Sequence, residues 1–180
     1  MSNRVSQIIL LCEDDPQESL VRYYLKQCGQ NTDPPYLRPF NASRQVHGGN
    51  VQWVLQQFPR QLMACRKRHV SHTNTLLIVV ADADKLTVQS RLAGFIATPP
   101  VDPSDPVVIL IPRRHIETWI RSARGDSVSE TDDYKKPEPQ KSEIRDAARQ
   151  IFAWSHGQPK PGSACVQSLL SALQHWRRLG

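Results

Sequence analysis

Two runs of branched apolar residues, each ending in a cluster of carboxylates, most narrowly limit what this chain can fold into. The runs and the acids after them are Ile8 to Cys12 with Glu13-Asp14-Asp15, and Leu76 to Val80 with Asp82-Ala83-Asp84. Because neither run alternates apolar with polar residues, both predict strands covered on two faces, as in a parallel α/β sheet. Ligands bind such sheets beyond the carboxyl ends of the strands, so both acidic clusters are expected at the ligand-binding edge.

Helical patterns between the apolar runs indicate the fold class. Apolar residues recur at helical spacing after the predicted strands, the third of which covers residues 107–111, and amphipathic helices over 144–154 and 166–176 close the chain. Strands alternating with helices predict an α/β fold with a mostly parallel sheet flanked by helices and a C-terminal helical pair. We expect residues 1–155 to form this α/β domain and residues 156–180 to form a helix packed on the domain or on a partner.

The charge balance favours a polyanionic partner. The formal net charge of the 180 residues is +6. Clustered Lys and Arg side chains release counterions from phosphates, so nucleic acid is the expected partner. The residues predicted to bind it form two basic stretches, Arg66-Lys67-Arg68 and Arg113-Arg114. The alternative for the first stretch is ordinary solvated surface charge.

Other features of the sequence concern its cellular compartment. No apolar stretch approaches the roughly 20 residues that a membrane span needs, and the amino terminus lacks the basic-then-apolar layout of a signal peptide. The four cysteines show neither close pairs nor a nearby histidine grouping, which predicts reduced thiols rather than a disulfide framework. We therefore expect a cytoplasmic protein without a membrane partner.

The Asp82-Ala83-Asp84 segment is the first candidate for chemistry. In an extended segment residues two apart project to the same side, so the two aspartates can approach one cation together. Mg²⁺ prefers such oxygen ligands, and it can activate water and relieve charge during phosphodiester cleavage. The alternative is structural, because acidic pairs are common in turns and Asp84 could cap the helix that follows.

Glu13 and Glu117 extend the acidic set to three strand ends. Glu13 follows a buried strand directly, where a structural role is harder to supply than in a loop, and Glu117 comes six residues after the third strand. Helix capping is the better reading of Asp15, and it is as good as a functional reading for Glu18. Glu117 could also be an exposed helix residue.

The order of these motifs resembles the TOPRIM family, shared by topoisomerases, bacterial primases and nucleases of the overcoming-lysogenization-defect type. The segment from Leu11 to Glu18 is similar to the first TOPRIM motif, and Ala81 to Lys85 matches its Asp-x-Asp motif. The segment from Ile111 to Ile120 resembles a later element in which a glutamate and a tryptophan follow a strand. Tyr134 to Pro137 is similar to a lysine-bearing segment of the nuclease branch. The resemblance covers roughly residues 6 to 155.

The resemblance implies a TOPRIM-like, Rossmann-like fold and a metal-dependent nuclease, for DNA rather than RNA. Glu13, Asp82, Asp84 and Glu117 would bind Mg²⁺ or Mn²⁺, with Glu13 also a candidate general base or acid. Arg113, Arg114 or a loop lysine, Lys135 or Lys136, would neutralise the scissile phosphate, and Lys136 is taken as the catalytic one. The resemblance also implies antiviral defence beside an ATPase subunit.

One departure and two alternatives accompany this resemblance. Asp14 stands where the first TOPRIM motif has a glycine. The first motif also resembles response-regulator receiver domains, in which Asp82 or Asp84 would be a phosphoacceptor, although no strand-end Thr or Ser followed by Lys-Pro is visible. The third possibility is a non-catalytic TOPRIM-like interaction subunit, with Trp154 and Trp176 on a docking surface.

Overall fold

The computed structural model describes residues 5–47, 50–70, 74–97, 99–157, 161–162 and 165–180, with the backbone alone for 69 and 70. Its centre is a four-stranded sheet in the order β2-β1-β3-β4, in which every neighbouring pair is parallel. The strands are β1 (Gln7–Cys12), β2 (Leu37–Asn41), β3 (Thr75–Val80) and β4 (Val107–Leu110).

Six α-helices among the described residues connect and cover these strands. They are α1 (Asp15–Gln27), α2 (Val51–Val70), α3 (Val88–Ile96), α4 (Ile116–Ala123), α5 (Lys141–Ser155) and α6 (Gln167–Arg177). Pro59 lies inside α2, which continues past it to Val70. The predicted α/β architecture with a parallel sheet and a C-terminal helical pair is confirmed.

Alternate residues of the central strand β1 point into two separate cores. Ile8 and Leu10 pack into a core with α1, α4, α5 and α6, whereas Ile9 and Leu11 pack into a core with α2 and α3. Both faces of β1 are therefore covered, which is why its sequence is apolar without alternation. The same holds for β3, all six of whose residues are buried.

The C-terminal helix α6 packs on the domain. Leu169 and Trp176 are fully buried in the same core as α1 and α5. Trp176 contacts the rings of Tyr24 and Trp119, with centroid distances of 4.6 and 6.2 Å. Trp176 is thus a core residue and is not available for the docking surface considered above, whereas Trp154 is partly buried at the edge of this core.

Replacing Tyr24 by Phe is expected to lower the free energy of unfolding by about 1 to 2 kcal/mol. The Tyr24 hydroxyl is buried, shares a hydrogen bond with Ser155 Oγ at 2.7 Å and donates to the Trp176 carbonyl at 2.8 Å. Both partners keep another hydrogen bond, so the loss stays at the lower end. Urea denaturation measures it, with Tyr23→Phe, at a partly exposed neighbour, expected to change stability by less than about 0.5 kcal/mol. Equal effects of the two substitutions would contradict this account.

Within the described part of the chain, no helix combines the length and the apolar character that crossing a membrane requires.

Candidate metal centre

The acids that follow β1 and β3 meet at the carboxyl edge of the sheet. These two strands are neighbours at the centre, and the chain proceeds from β1 outward to β2 on one side and from β3 outward to β4 on the other. The strand order therefore reverses between β1 and β3, and this reversal opens a crevice in which doubly wound sheets bind ligands. Glu13 and Asp82 lie on the two sides of that crevice.

Glu13 is joined directly to the Asp82 backbone. Its Oε1 accepts a hydrogen bond from the Asp82 N–H at 2.6 Å, and its side chain is buried. Burial raises the pKa of Glu13 to about 8, and the charges of Asp82 and Asp84 act in the same direction. The carboxyl group can therefore hold a proton at neutral pH.

Asp82 is the most deeply buried of the acids, with a relative exposure of 1%. Its Oδ1 accepts a hydrogen bond from Gln17 Nε2 at 2.9 Å, while Gln17 Oε1 accepts from the Glu13 N–H at 2.9 Å. The Gln17 amide thus bridges the ends of β1 and β3. Burial raises the pKa of Asp82 well above its usual range, and the nearby charges of Asp14 and Glu117 raise it further.

Asp84 sits in an unusual backbone conformation that Arg91 helps to hold. Its φ of 54° falls in the left-handed region, which aspartate tolerates better than most residues. The buried guanidinium of Arg91 donates to the Asp82 carbonyl at 2.9 Å and lies 3.7 Å from Asp84 Oδ2. Arg91 therefore fixes the backbone that presents both aspartates, and such strained positions concentrate at functional sites.

His115 completes a group of three potential ligands. One ligand atom each from Asp82, Asp84 and His115 lies within 4.8 Å of the others. His115 Nδ1 is 3.5 Å from Asp82 Oδ2 and 3.8 Å from Asp84 Oδ1, too far for good hydrogen bonds. Burial, together with the positive charge of Lys135, lowers the pKa of His115, so its imidazole is neutral at neutral pH.

Glu117 lies in the first turn of α4, where its side chain is buried rather than exposed. Among the described residues, its Oε2 is a buried oxygen without a hydrogen-bond partner. Burial raises the pKa of Glu117, and Asp14 adds to this rise. Glu117 also lines a cleft of about 470 Å³, together with Asp14, Lys135 and Lys136. The charge of Glu117 acts on Asp82, but neither Glu117 nor Glu13 belongs to the group of three potential ligands.

The two candidate lysines lie beside the acids, and one of them, Lys135, interacts with their charges. Both line the cleft. Burial alone lowers the pKa of Lys135, but the charges of Asp82, Asp84 and Glu117 raise it above its usual value overall. The charges of the acids thus act on Lys135, and Lys136 lies beside it on the cleft wall.

Asp14 fits the position at which the TOPRIM motif has glycine. Its φ of −148° and ψ of 178° are extended values that any residue adopts. Its side chain caps α1 by accepting from the Gln17 N–H at 3.0 Å, so Asp14 is the N-cap, in place of Asp15. Glu18 is a structural residue paired with Arg22 at 2.8 Å. The aspartate therefore causes no backbone strain at this turn.

The predicted nucleic-acid-binding residues lie at two edges of the sheet. Arg113 and Arg114 follow β4 at the acidic edge, where Arg114 donates to the Asp84 carbonyl at 3.4 Å. Arg66 instead pairs with Asp105, just before β4, and Arg68 donates to Gln7 at the start of β1. The Arg66-Lys67-Arg68 stretch therefore lies at the side of the sheet where the strands begin, away from the acids of the β1–β3 crevice.

The residues present fit a divalent cation. Two carboxylates and a neutral imidazole converge, and both ring nitrogens of His115 are buried without a hydrogen-bond partner in the described part of the chain. Two ligands of one ion, each about 2.1 Å from it, lie at most about 4.2 Å apart, which accommodates both His115 separations. A set of two oxygens and one nitrogen suits Mn²⁺ at least as well as Mg²⁺.

Three residues of this site were not assigned a role from the sequence. His115 stands two positions before Glu117, so its place at the start of α4 was a usable signal. Gln17 follows Glu13 by one helical turn, a spacing too common to single out. Arg91 carries no local signal, because its partners are backbone carbonyls of the Asp82 loop.

Comparisons with known proteins identify no relative. No protein-family model, no curated protein and no solved structure matches this chain. The TOPRIM and receiver resemblances therefore stay predictions, and the contacts within the site are the basis for a functional argument.

Proposed function

We propose that this protein is a metal-dependent phosphodiesterase acting on nucleic acid, with DNA as the preferred substrate. The observation that carries the proposal is the burial of Asp82 beside Glu13, Asp84 and His115 in the crevice between β1 and β3. Buried carboxyl groups such as those of Asp82 and Glu13, whose pKa values burial raises, destabilise a fold unless a cation or proton compensates their charge. The net charge of +6 supports a polyanionic substrate.

The contacts of each residue in the site suggest its proposed role. Asp82, Asp84 and His115 would hold Mn²⁺ or Mg²⁺, and Glu117 would offer a further oxygen. The cation would supply charge neutralisation and an activated water. Gln17 and Arg91 hold the ligands in place, because they bind the Asp82 side chain and the backbone around it. Preorganised positions of this kind reduce the rearrangement that a reaction requires.

Glu13 is the proposed proton carrier. Its Oε1 is occupied by the Asp82 N–H, which leaves Oε2 as the oxygen that can exchange a proton, and in the metal-free protein burial raises the pKa of Glu13 to about 8. A carboxyl group with such a pKa can donate to a leaving oxygen and accept the proton again, because its two forms are both populated. Lys135 and the Arg114 guanidinium, at the same edge, attract the phosphate.

Incubation with supercoiled plasmid tests the proposal directly. The full-length protein with Mn²⁺ or Mg²⁺ is expected to convert plasmid to nicked or linear forms, and EDTA is expected to stop the conversion. A single-stranded RNA of similar length, assayed in parallel, distinguishes DNA from RNA preference. If plasmid and RNA both stay intact at metal concentrations that saturate the protein, the activity is ruled out. The alternative of a non-catalytic interaction subunit then remains.

Replacing His115 by Asn is expected to weaken Mn²⁺ binding at least about 10-fold. The substitution removes a nitrogen ligand but leaves both aspartates. Electron paramagnetic resonance of free Mn²⁺ measures the affinity. His175→Asn, on α6 outside the acidic group, is the matched control and should bind as the native protein does. Equal affinities in all three proteins would exclude His115 as a ligand.

A receiver-like phosphoacceptor is the second candidate, favoured by the strand order. The order β2-β1-β3-β4, with acids after β1 and β3, is also that of flavodoxin-like folds. Asp84 is the more accessible acceptor, with 38% of its side chain exposed against 2% for Asp82. Acetyl phosphate with Mg²⁺ should label Asp84 if this reading is correct, and an unlabelled protein in intact-mass spectra would exclude it.

A further inference from the structure

A second feature, separate from the acidic group, is a groove along the outer edge of β4. The groove has a volume of about 210 Å³ and runs between α3 and α6. Leu92 and Ile96 form one wall, Ala172 lies on the other, and Ile109 forms the floor. Ile96 is one of the few large apolar residues with a high exposure, at 41%. The walls thus belong to helices that cover opposite faces of the sheet.

The floor of the groove is an edge strand with unused backbone groups. The Leu77 N–H donates to the Pro106 carbonyl at 2.8 Å, and the Ala81 N–H donates to the Leu110 carbonyl at 3.1 Å. Even-numbered residues of β4 therefore turn their backbone groups toward β3. In a parallel ladder the odd-numbered residues face the other way, so the N–H and C=O of Ile109 point into the groove.

The two edges of the sheet are built differently. The β2 edge carries Pro39, which cannot donate a hydrogen bond, and the exposed Arg38. Proline and charged side chains are common devices that stop an edge strand from pairing with another chain. The four residues of β4, Val107 to Leu110, contain neither. Of the two edge strands, β4 thus has an apolar lining and contains neither proline nor a charged residue.

Hydrogen bonds at Ser168 hold the α6 wall in position. Ser168 Oγ accepts from Trp119 Nε1 at 2.7 Å, and the Ser168 N–H donates to Glu130 Oε1 at 2.8 Å. Both bonds tie the start of α6 to other parts of the domain. The groove is therefore preformed, which lowers the entropic penalty that a ligand meets on binding.

We propose that the β4 groove binds an extended segment of another protein, which adds a fifth strand to the sheet. The apolar side chains at every second position of that segment would contact Ile96, the side chains between them would face Ala172, and the backbone would pair with Ile109. The exposed Arg178 lines the groove, and no described acid does, so the segment carries a carboxylate next to its apolar residues.

Fluorescence anisotropy with a labelled peptide of sequence Asp-Val-Thr-Val-Thr-Val tests this proposal. The full-length protein is expected to bind the peptide saturably, in EDTA, so the result is independent of any phosphodiesterase activity. Ile96→Glu and Arg178→Glu are each expected to weaken binding at least about 10-fold. Met63→Glu, which alters an exposed apolar residue of α2, is the matched control and should bind normally.

Hydrogen exchange and oligomeric state separate strand addition from other occupants. Peptide binding is expected to slow exchange of the Ile109 amide, and a peptide with proline in place of its second valine is expected not to bind. Unchanged Ile109 exchange, binding of the proline peptide, or no binding up to about 1 mM peptide would overturn the proposal. A dimer in light scattering that Ile96→Glu dissociates would also overturn it, because the occupant would then be a second copy.

Discussion

Asp82→Asn is expected to lower plasmid cleavage on the order of 10³-fold while making the metal-free protein more stable. Asparagine keeps an oxygen that can accept a hydrogen bond from the Gln17 side-chain amide, so the bridge between the ends of β1 and β3 is retained. It removes the charged ligand from the group with Asp84 and His115, and with it a buried carboxyl group whose pKa burial raises well above its usual range. Activity and stability should therefore change in opposite directions.

Plasmid cleavage in Mn²⁺ and thermal unfolding in EDTA measure the two effects on the same preparations. Asp146→Asn is the matched control, because Asp146 is an exposed residue of α5 whose only described ion pair is with Arg149. It should leave both cleavage and the melting temperature nearly unchanged. A cleavage rate for Asp82→Asn within about threefold of the native rate would show that Asp82 is not part of the catalytic group.

The proximity of Glu13 and Asp82 could be predicted from the sequence because it follows from general rules about parallel sheets. Two unalternating apolar runs indicate parallel strands buried on both faces, and the carboxyl ends of such strands share one edge. In the structure a hydrogen bond of 2.6 Å joins these two residues, which are 69 positions apart in the sequence. No detail of side-chain packing was needed to anticipate that they would be close.

The remaining parts of the site depend on side-chain contacts that local patterns do not encode. Gln17 and Arg91 act by filling hydrogen-bond positions around Asp82, and either residue in another setting would be an ordinary helix residue. The choice between Lys135 and Lys136 depends on how a turn-rich segment lies across the cleft, which has no periodicity to indicate its direction. The cap at Asp14 rather than Asp15 is a one-residue shift of a helix start.

The two basic stretches show why net charge alone does not indicate which surface would bind a polyanion. Both stretches are rich in arginine, yet Arg66 is engaged by Asp105 and the Pro100 carbonyl at the amino edge of the sheet. Arg114 is at the acidic edge, beside Asp84. Because side chains in such pairs already neutralise one another, they contribute less to binding phosphate than an unengaged group would. We therefore expect nucleic acid to contact the edge that carries Arg113 and Arg114.

Without metal, the stability of the protein is expected to fall as the pH rises from about 4.5 to about 8, because of Glu13. In the unfolded chain Glu13 ionises near the ordinary glutamate pKa of 4.5, whereas in the folded protein burial raises its pKa to about 8. The folded state thus holds a proton that the unfolded state has released. Unfolding is favoured progressively through this window, and the effect is complete above it.

The size of this effect makes it measurable. One pKa unit corresponds to about 1.4 kcal/mol, so the shift at Glu13 corresponds to a loss on the order of 5 kcal/mol between the two limits. Urea denaturation in EDTA at several pH values gives the profile. Glu13→Gln should make it shallower, because glutamine keeps an oxygen for the Asp82 N–H but does not ionise, whereas Asp82, whose pKa burial also raises, still contributes.

Mn²⁺ should reverse the loss at the alkaline end of the profile. A ligand that binds only the folded state stabilises it in proportion to the logarithm of its concentration above the dissociation constant. The cation competes with protons for the carboxyl group of Asp82, whose pKa burial also raises, so the increase in stability should be larger at pH 8 than at pH 5.5. A profile that is flat in EDTA, or a Mn²⁺ effect that is equal at both pH values, would mean that the acids of the β1–β3 crevice do not form a charged cation site.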